Sequence, residues 1–280
     1  MLAELLVPIF LPGIAFLATL LVLKAEQRPK WSGLLGGLVV PIATLIGFAY
    51  EGAWPSSYSD WHRLPVILAG AGLASAVLVL FPQGAAQCVA PLTLGALAGL
   101  VGKFPGMDAA DQWLLGLSVA ASVRLWMLAS VCSLGRLVGV AAWTSCVALA
   151  PMAFDGGFTT LMVLSASAAT ISGALVLAPQ ALSPEGSGAM LLGVVLPTLA
   201  WCGFSYDYAE APWWQWAAMA GLPVLVLVFF DPHPPLTGRE RLPWLSGLVR
   251  AVLIVVLLGW MLQPTVRSLA APADDSYGSY

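Results

Sequence analysis

Long apolar runs, separated by short polar or proline-containing connections, recur along the whole chain. Each run is about 20 residues long, the length of helix that crosses the hydrocarbon core of a bilayer. Backbone groups in lipid must find hydrogen bonds within their own segment, and the alternating strands of a β-barrel are not seen, so helices are predicted. The ten predicted spans lie at residues 5–23, 33–50, 64–82, 86–103, 113–131, 136–153, 158–178, 188–205, 213–230 and 246–263.

The composition also indicates a chain embedded in a membrane. Of the 280 residues, 60% are hydrophobic and only 9% are charged, whereas a soluble globular domain carries about 25% charged residues. A net charge of −3 provides no basic surface, so nucleic acid is not an expected partner. We therefore predict an all-α polytopic transmembrane bundle, which forms one domain over residues 1–264 and precedes a flexible polar tail over residues 265–280.

The basic residues predict the orientation of this bundle. If both termini lie outside, seven basic residues fall on the inner side and three on the outer side, as the positive-inside rule requires. Arginine outnumbers lysine eight to three, which suggests a GC-rich bacterial genome. The expected location is the bacterial cytoplasmic membrane. The inner residues are Lys24, Arg28, Lys30, Arg136, Arg239, Arg241 and Arg250, and the outer ones are Arg63, Lys103 and Arg267.

Small residues predict where helices approach closely. Glycine pairs spaced four apart occur at Gly33 and Gly37, Gly95 and Gly99, and Gly135 and Gly139, and such pairs allow backbones to touch. The span 158–178 combines small and hydroxyl-bearing residues, which suits a bundle interior better than a lipid face. We predict it as the central helix, on the evidence of Thr159, Thr160, Ser165, Ser167, Thr170 and Ser172.

The tryptophans agree with the predicted spans. Nine lie at or near span ends, where an amphipathic indole prefers the membrane interface. Trp143 falls inside a span and is therefore expected to face protein. The nine are Trp31, Trp54, Trp61, Trp113, Trp213, Trp214, Trp216, Trp244 and Trp260.

The most specific pattern is an internal similarity. Residues 37–51 read GLVVPIATLIGFAYE and residues 193–207 read GVVLPTLAWCGFSYD, an offset of 156 residues. The matched positions include proline, phenylalanine, tyrosine and an acid, which are scarcer here than aliphatic residues. Both copies run in the same direction across the membrane, so we predict a parallel duplication, with repeat halves 1–131 and 158–264.

Two matched prolines, Pro41 and Pro197, lie near the middle of their spans. A proline there removes a backbone hydrogen bond and kinks the helix. The freed carbonyl could coordinate a cation or a solute, as in the broken helices of transporters. The alternative is a packing kink without a site, because proline is tolerated in membrane helices.

Two aromatic–acid pairs, Tyr50–Glu51 and Tyr206–Asp207, end the matched spans on the predicted outer side. They could form an acidic mouth that attracts cations or takes up protons. In the alternative interpretation the aromatic rings belong to the interfacial belt and the acids are simply solvated.

Arg124 is the strongly charged residue that lies well inside a predicted span. A charge at that depth is costly and often functional, but a long arginine side chain can also extend to the interface. No acid lies at similar depth in another span, so its partner would be a backbone carbonyl, a hydroxyl, a lipid headgroup or another subunit.

The remaining reactive residues predict no catalytic or metal site. Cys88, Cys132, Cys146 and Cys202 form no CxxC pair and are interpreted as small buried hydrophobes. The two histidines, His62 and His233, fall on opposite predicted sides. No nucleotide-binding, hydrolase or metalloprotease motif occurs, so no cofactor is predicted and the chain is not expected to be an enzyme.

Two functions fit these observations. One is a permease-like transporter that moves a small solute past the kinked helices and the hydroxyls of Ser165, Ser167 and Thr170. The other is a non-catalytic membrane subunit that anchors or assembles a larger membrane complex. The lipid bilayer is the expected partner in both cases, and other membrane subunits are expected partners in the second.

The topology predicts the sidedness of engineered thiols. Cysteines introduced at Ser57 and Ser276 should react with an impermeant thiol reagent in intact cells, whereas one at Thr237 should react only after permeabilisation. Labelling of the Thr237 position in intact cells, with the other two protected, would invert the predicted orientation.

Overall fold

A computed structural model describes residues 63–132, 135–177, 187–229 and 243–270, together with the helical positions Phe10 and Ile14. Regular structure in these ranges is entirely α-helical. The eight helices are α1 (Arg63–Leu78), α2 (Gln83–Val101), α3 (Ala109–Cys132), α4 (Gly135–Asp155), α5 (Thr159–Leu177), α6 (Gly188–Ser205), α7 (Trp213–Phe229) and α8 (Pro243–Ala270).

These helices coincide with the last eight predicted spans, the first of which begins at residue 64. Six of them, α2 to α6 and α8, are long and apolar enough to cross a membrane, while α1 and α7 are shorter apolar helices. The prediction of an all-helical, multi-pass membrane protein is therefore confirmed. The spans 5–23 and 33–50 lie outside the described residues, so the total of ten spans stays a prediction.

Helix α6 is the centre of the described bundle. It packs against α1, α2, α3, α4, α5 and α7, and its residues from Gly188 to Ala200 are all buried. Helix α5, over the predicted central span 158–178, packs mainly on α4 and has only a minor contact with α6. Among the described helices α6 is the central one, but no position of α5 from Thr160 to Val176 is exposed, so the central place of α5 in the whole bundle stays a prediction.

Helix α3 crosses α6 with the two backbones in contact. A Cβ atom at Gly193 of α6 would lie 2.6 Å from the backbone nitrogen of Val123 in α3. Real Cβ atoms do not approach other atoms so closely, so only glycine permits this crossing. Close approach of this kind allows extensive van der Waals packing. In lipid, where the hydrophobic effect does not bring helices together, this packing drives their association.

Helices α2 and α3 are joined by a second glycine contact, which confirms one of the predicted close-contact motifs. A Cβ atom at Gly95 would lie 2.6 Å from the carbonyl oxygen of Gly116, and one at Gly99 would lie 3.0 Å from that of Gln112. Because α2 and α3 run antiparallel, these contacts extend over one turn of each helix.

Helices α4 and α5 share the most extensive helix–helix contact in the described bundle. A Cβ atom at Gly139 would lie 3.0 Å from the backbone nitrogen of Val176, as expected for the second glycine of its motif. Trp143 lies over Gly173 on the same pair of helices but remains 43% exposed. The prediction that Trp143 faces protein is therefore only half right, since one side of its indole covers α5 and the other faces outward. The motif at Gly33 and Gly37 lies outside the described residues.

Helix α8 presents a broad apolar face to the exterior. Its exposed residues recur at helical spacing, as on a helix that contacts lipid, and include Val252, Val255, Val256 and Trp260. The helix continues through Pro264 to Ala270, six residues beyond the predicted end of the transmembrane domain. The rest of the predicted tail lies outside the described residues.

The α3–α6 crossing predicts a specific sensitivity to added volume. Gly193→Ala should lower the free energy of unfolding by about 1–3 kcal/mol or more, because the new methyl group meets backbone rather than a movable side chain. Gly221→Ala on α7 is the matched control, since nothing lies within 4 Å of that position, and the better helix propensity of alanine should leave it neutral or slightly stabilised. The measurement is the unfolding midpoint in detergent. Equal midpoints for the two variants would contradict the close crossing.

Candidate functional site

The densest polar cluster of the described chain is centred on Asp207, just after the end of α6. Both oxygens of its half-buried carboxylate accept hydrogen bonds: Oδ1 from the backbone N–H of Ala209 at 2.9 Å, and Oδ2 from that of Ala211 at 3.0 Å. Oδ2 also accepts a bond from the indole N–H of Trp216 at 2.9 Å. The interpretation of Asp207 as a simply solvated acid is therefore wrong, because its carboxylate holds the α6–α7 connection to α7.

Close packing, as well as this hydrogen bond, fixes the position of the Trp216 side chain. Its indole is only 2% exposed, and a Cβ atom at Gly203 would lie 2.6 Å from Cη2 of the ring. The ring thus fills the space left by a missing side chain on α6. Trp216 was expected in the interfacial belt with the other tryptophans, but it belongs to the protein interior.

The connection between α4 and α5 docks onto the same cluster. The backbone N–H of Tyr208 donates to the carbonyl of Gly156 at 3.2 Å, and a Cβ atom at Gly156 would lie 2.9 Å from Oδ1 of Asp207. The rings of Phe158 and Tyr206 pack with centroids 4.6 Å apart. Tyr206 and Asp207, which the sequence paired, therefore join two connections at one end of the bundle. We call this the Asp207 end.

Helix α8 is tied to the Asp207 end by two further polar contacts. The buried side chain of Gln215 donates through Nε2 to the carbonyl of Met261 at 2.9 Å. The hydroxyl of Ser268 donates to the carboxylate of Asp155 at the end of α4. These side chains, whose association no sequence pattern predicts, thus hold the helices α4, α6, α7 and α8 together.

Pro197 lies inside α6 and is buried with both of its neighbours in the chain. It has no N–H to donate to the carbonyl of Gly193 one turn earlier, as predicted for a mid-helix proline. The hydroxyl of Thr198, next to it, is bonded at 2.6 Å to the carbonyl of Val194 within the same helix. The matching residues Pro41, Tyr50 and Glu51 lie outside the described residues.

The three predicted pathway hydroxyls on α5 have different environments. Ser167 bonds to the carbonyl of Val163 at 2.9 Å and Thr170 to that of Ser167 at 2.8 Å, both within their own helix. Ser165 is completely buried and its hydroxyl has no hydrogen-bond partner. Because α5 packs mainly on α4, the described helices do not gather these residues and Pro197 into one site.

Arg124 lies toward the opposite end of the bundle, which we call the Arg124 end and which holds the start of α2, the end of α3 and the start of α6. Its side chain is exposed, and Nη1 donates to the backbone carbonyl of Gln87 on α2 at 3.3 Å. A backbone carbonyl was one of the four partners expected from the sequence. Arg124 therefore does not belong to the Asp207 cluster, and the seven predicted site residues that the structure describes do not form a single centre.

Other polar groups escaped the sequence analysis. The indole of Trp201 on α6 donates to the hydroxyl of Ser118 on α3 at 3.1 Å, and Trp126 is completely buried with an unpartnered indole N–H. Cys146 and Cys202 are buried as predicted, whereas Cys88 is exposed. Within the described ranges, no three His, Cys, Asp or Glu side chains are placed to hold a metal ion. His62 and His233 lie outside these ranges.

The chain matches no protein-family model, no curated protein and no solved structure.

The link between Asp207 and Trp216 predicts an energetic coupling. Asp207→Asn and Trp216→Phe should each destabilise the protein, and the double variant should lose less than the sum, with a coupling on the order of 1–2 kcal/mol from the charge-assisted hydrogen bond. Trp214→Phe, at the exposed neighbouring indole, is the matched control and should not couple to Asp207→Asn. The unfolding midpoints of the five variants give the coupling free energy of the double-mutant cycle. Additive losses of stability in the double variant would contradict the hydrogen bond between Asp207 and Trp216.

Proposed function

We propose that this multi-pass membrane protein is a non-catalytic membrane subunit that anchors or assembles a larger complex. The observation that carries the proposal is the enclosure of α6. The described helices already surround it, its backbone touches that of α3 at Gly193, and the hydroxyl of Thr198 is bonded within its own helix. The proline-containing helix therefore offers a solute little to bind.

The polar contacts of the described bundle support the same proposal. They lie mostly at the Asp207 end, where they fasten connections and helix ends to one another. Fully bonded side chains in such a network stiffen the structure. A stiff bundle with an apolar exterior is suited to presenting a fixed surface within the membrane, whereas alternating access requires parts of a transporter to move against each other.

A permease-like transporter is the second candidate, and three buried hydroxyls favour it. Ser75, Ser145 and Ser165 are completely buried and have no hydrogen-bond partner. Buried polar groups are nearly always bonded, so unpaired ones point to an unseen water, ion or solute. Pro197 also removes the usual helical donor to the carbonyl of Gly193.

The topology remains part of the proposal: ten spans, both termini outside and a place in the bacterial cytoplasmic membrane. The charges of the described residues support this orientation. The five acids among the described residues all lie at the Asp207 end, at Asp108, Asp111, Asp155, Asp207 and Glu210, together with Arg63, Lys103 and Arg267. The Arg124 end holds only arginines among its described charged residues, at Arg124, Arg136 and Arg250, as expected for an inner side.

The parallel duplication also remains a proposal, because residues 37–51 lie outside the described ranges. In the second copy, Gly193 and Gly203 are required by the close packing of Val123 and Trp216, and Asp207 fastens the following connection. Residues matched between the copies therefore have packing roles. This supports inheritance of a helix-packing unit rather than of a solute site.

Two native thiols separate the candidate functions. Cys202 lies on α6 five residues after Pro197, and the buried Cys146 lies beside the hydroxyl of Ser172. In a subunit with a closed interior, neither should react with a small methanethiosulfonate reagent until the protein is denatured. The measurement is the mass of the folded, reagent-treated protein in a background of Cys88→Ser and Cys132→Ser.

The positive control is Tyr208→Cys, at a side chain that is 82% exposed at the Asp207 end. It should react fully under the same conditions. Labelling of Cys202 or Cys146 in the folded protein, at a rate approaching that of the control, would replace the subunit proposal with the transporter.

A further inference from the structure

Arg124 interrupts an otherwise apolar exposed face of α3. The exposed positions in the second half of this helix recur at intervals of three or four residues, as on one side of a helix: Leu117, Ala121, Arg124, Leu128 and Val131. In a membrane such a face contacts lipid. The guanidinium therefore lies on the lipid side of the bundle rather than in its interior.

The depth of the guanidinium follows from its contact with α2. Gln87, whose carbonyl accepts the bond from Arg124, is the fifth residue of a helix that begins at Gln83. With a rise of about 1.5 Å per residue, the carbonyl lies about 6 Å beyond the start of α2. The charge is thus about one helical turn inside the end of the bundle.

The connection beside this position is itself apolar and exposed. Leu80 is 71% and Phe81 is 51% exposed, in the short segment between α1 and α2. A connection of this composition is stable in the lipid interface rather than in water. Arg124 is therefore level with the glycerol and phosphate region of the adjoining leaflet, or slightly deeper.

The described surroundings leave this cation without a counter-charge. Its one described hydrogen bond uses one of five guanidinium N–H groups and goes to a neutral carbonyl. All the described acids lie at the Asp207 end. A desolvated guanidinium without an anion is costly, and the anions that reach this depth from the membrane itself are the phosphates of phospholipids.

We propose that Arg124 binds the headgroup phosphate of an anionic phospholipid in the leaflet at the Arg124 end. The bond to Gln87 fixes the guanidinium plane and leaves its remaining N–H groups for a bidentate contact with phosphate. The exposed side chains of Leu117 and Ala121, which lie deeper on the same face of α3, accommodate the acyl chains. These apolar neighbours favour a lipid over a free phosphate ion.

The test uses the full-length protein in a phosphate-free maltoside detergent, with lipid binding measured by native mass spectrometry. Phosphatidylglycerol should bind wild type, and Arg124→Leu should weaken its apparent Kd about tenfold or more, as expected for the loss of a charge-assisted contact. Arg124→Lys should give an intermediate loss, because it keeps the charge but not the planar fork. Diacylglycerol, which has no phosphate, should bind all variants alike.

Arg267→Leu is the matched control, because it removes the same charge from an exposed arginine at the Asp207 end. It should leave the affinity for phosphatidylglycerol unchanged. Unchanged affinity in Arg124→Leu, or an equal loss in Arg267→Leu, would overturn the proposal. If Arg124→Leu does not fold, the affinity of Arg124→Lys for phosphatidylglycerol tests the proposal. An affinity equal to that of wild type would then overturn the proposal.

Inorganic phosphate distinguishes the two sources of the anion. In detergent alone it should not shift the thermal unfolding midpoint of wild type relative to Arg124→Lys. A shift confined to wild type at millimolar phosphate would identify a site for a soluble anion and would overturn the assignment to lipid.

Discussion

The crossing of α3 and α6 at Gly193 is the contact on which the described bundle depends. Where lipid surrounds a protein, burial of apolar surface no longer distinguishes packed helices from separated ones, so association relies on close contact. The absence of a side chain at Gly193 brings the backbone of α6 against that of Val123. With this pair fixed, α1, α2 and α7 pack around the two helices, and α4 with α5 completes the other side.

Polar bonding then acts at the Asp207 end rather than in the middle of the bundle. The carboxylate of Asp207 accepts from two backbone groups and from Trp216, and neighbouring contacts fasten α4 and α8. At the membrane interface such bonds are inexpensive to form, because the groups need not be fully desolvated. Asp207, which the sequence suggested as part of an acidic mouth for cations, thus has a structural role. This role favours the proposal of an assembly subunit.

The charges that remain at the Arg124 end have a different environment. Arg124 faces outward among apolar side chains, about one helical turn inside the end of the bundle. The two ends of the bundle therefore relate differently to the membrane. Among the described residues, hydrogen bonds fasten the Asp207 end, whereas the charged residues of the Arg124 end are all arginines.

Sequence by itself determined the class of the protein and eight helices in the described ranges, because the length and apolar character of a span are local properties set by bilayer thickness. It also identified Gly95, Gly99 and Gly139 as points of close contact. The tertiary structure alone decided that α6 is central among the described helices, that Trp216 is buried against Gly203, and that Asp207 bonds to its indole. These outcomes depend on which faces of different helices meet. Helices that are apolar on nearly every side show little periodicity in their sequence, so the sequence does not specify which face meets which neighbour.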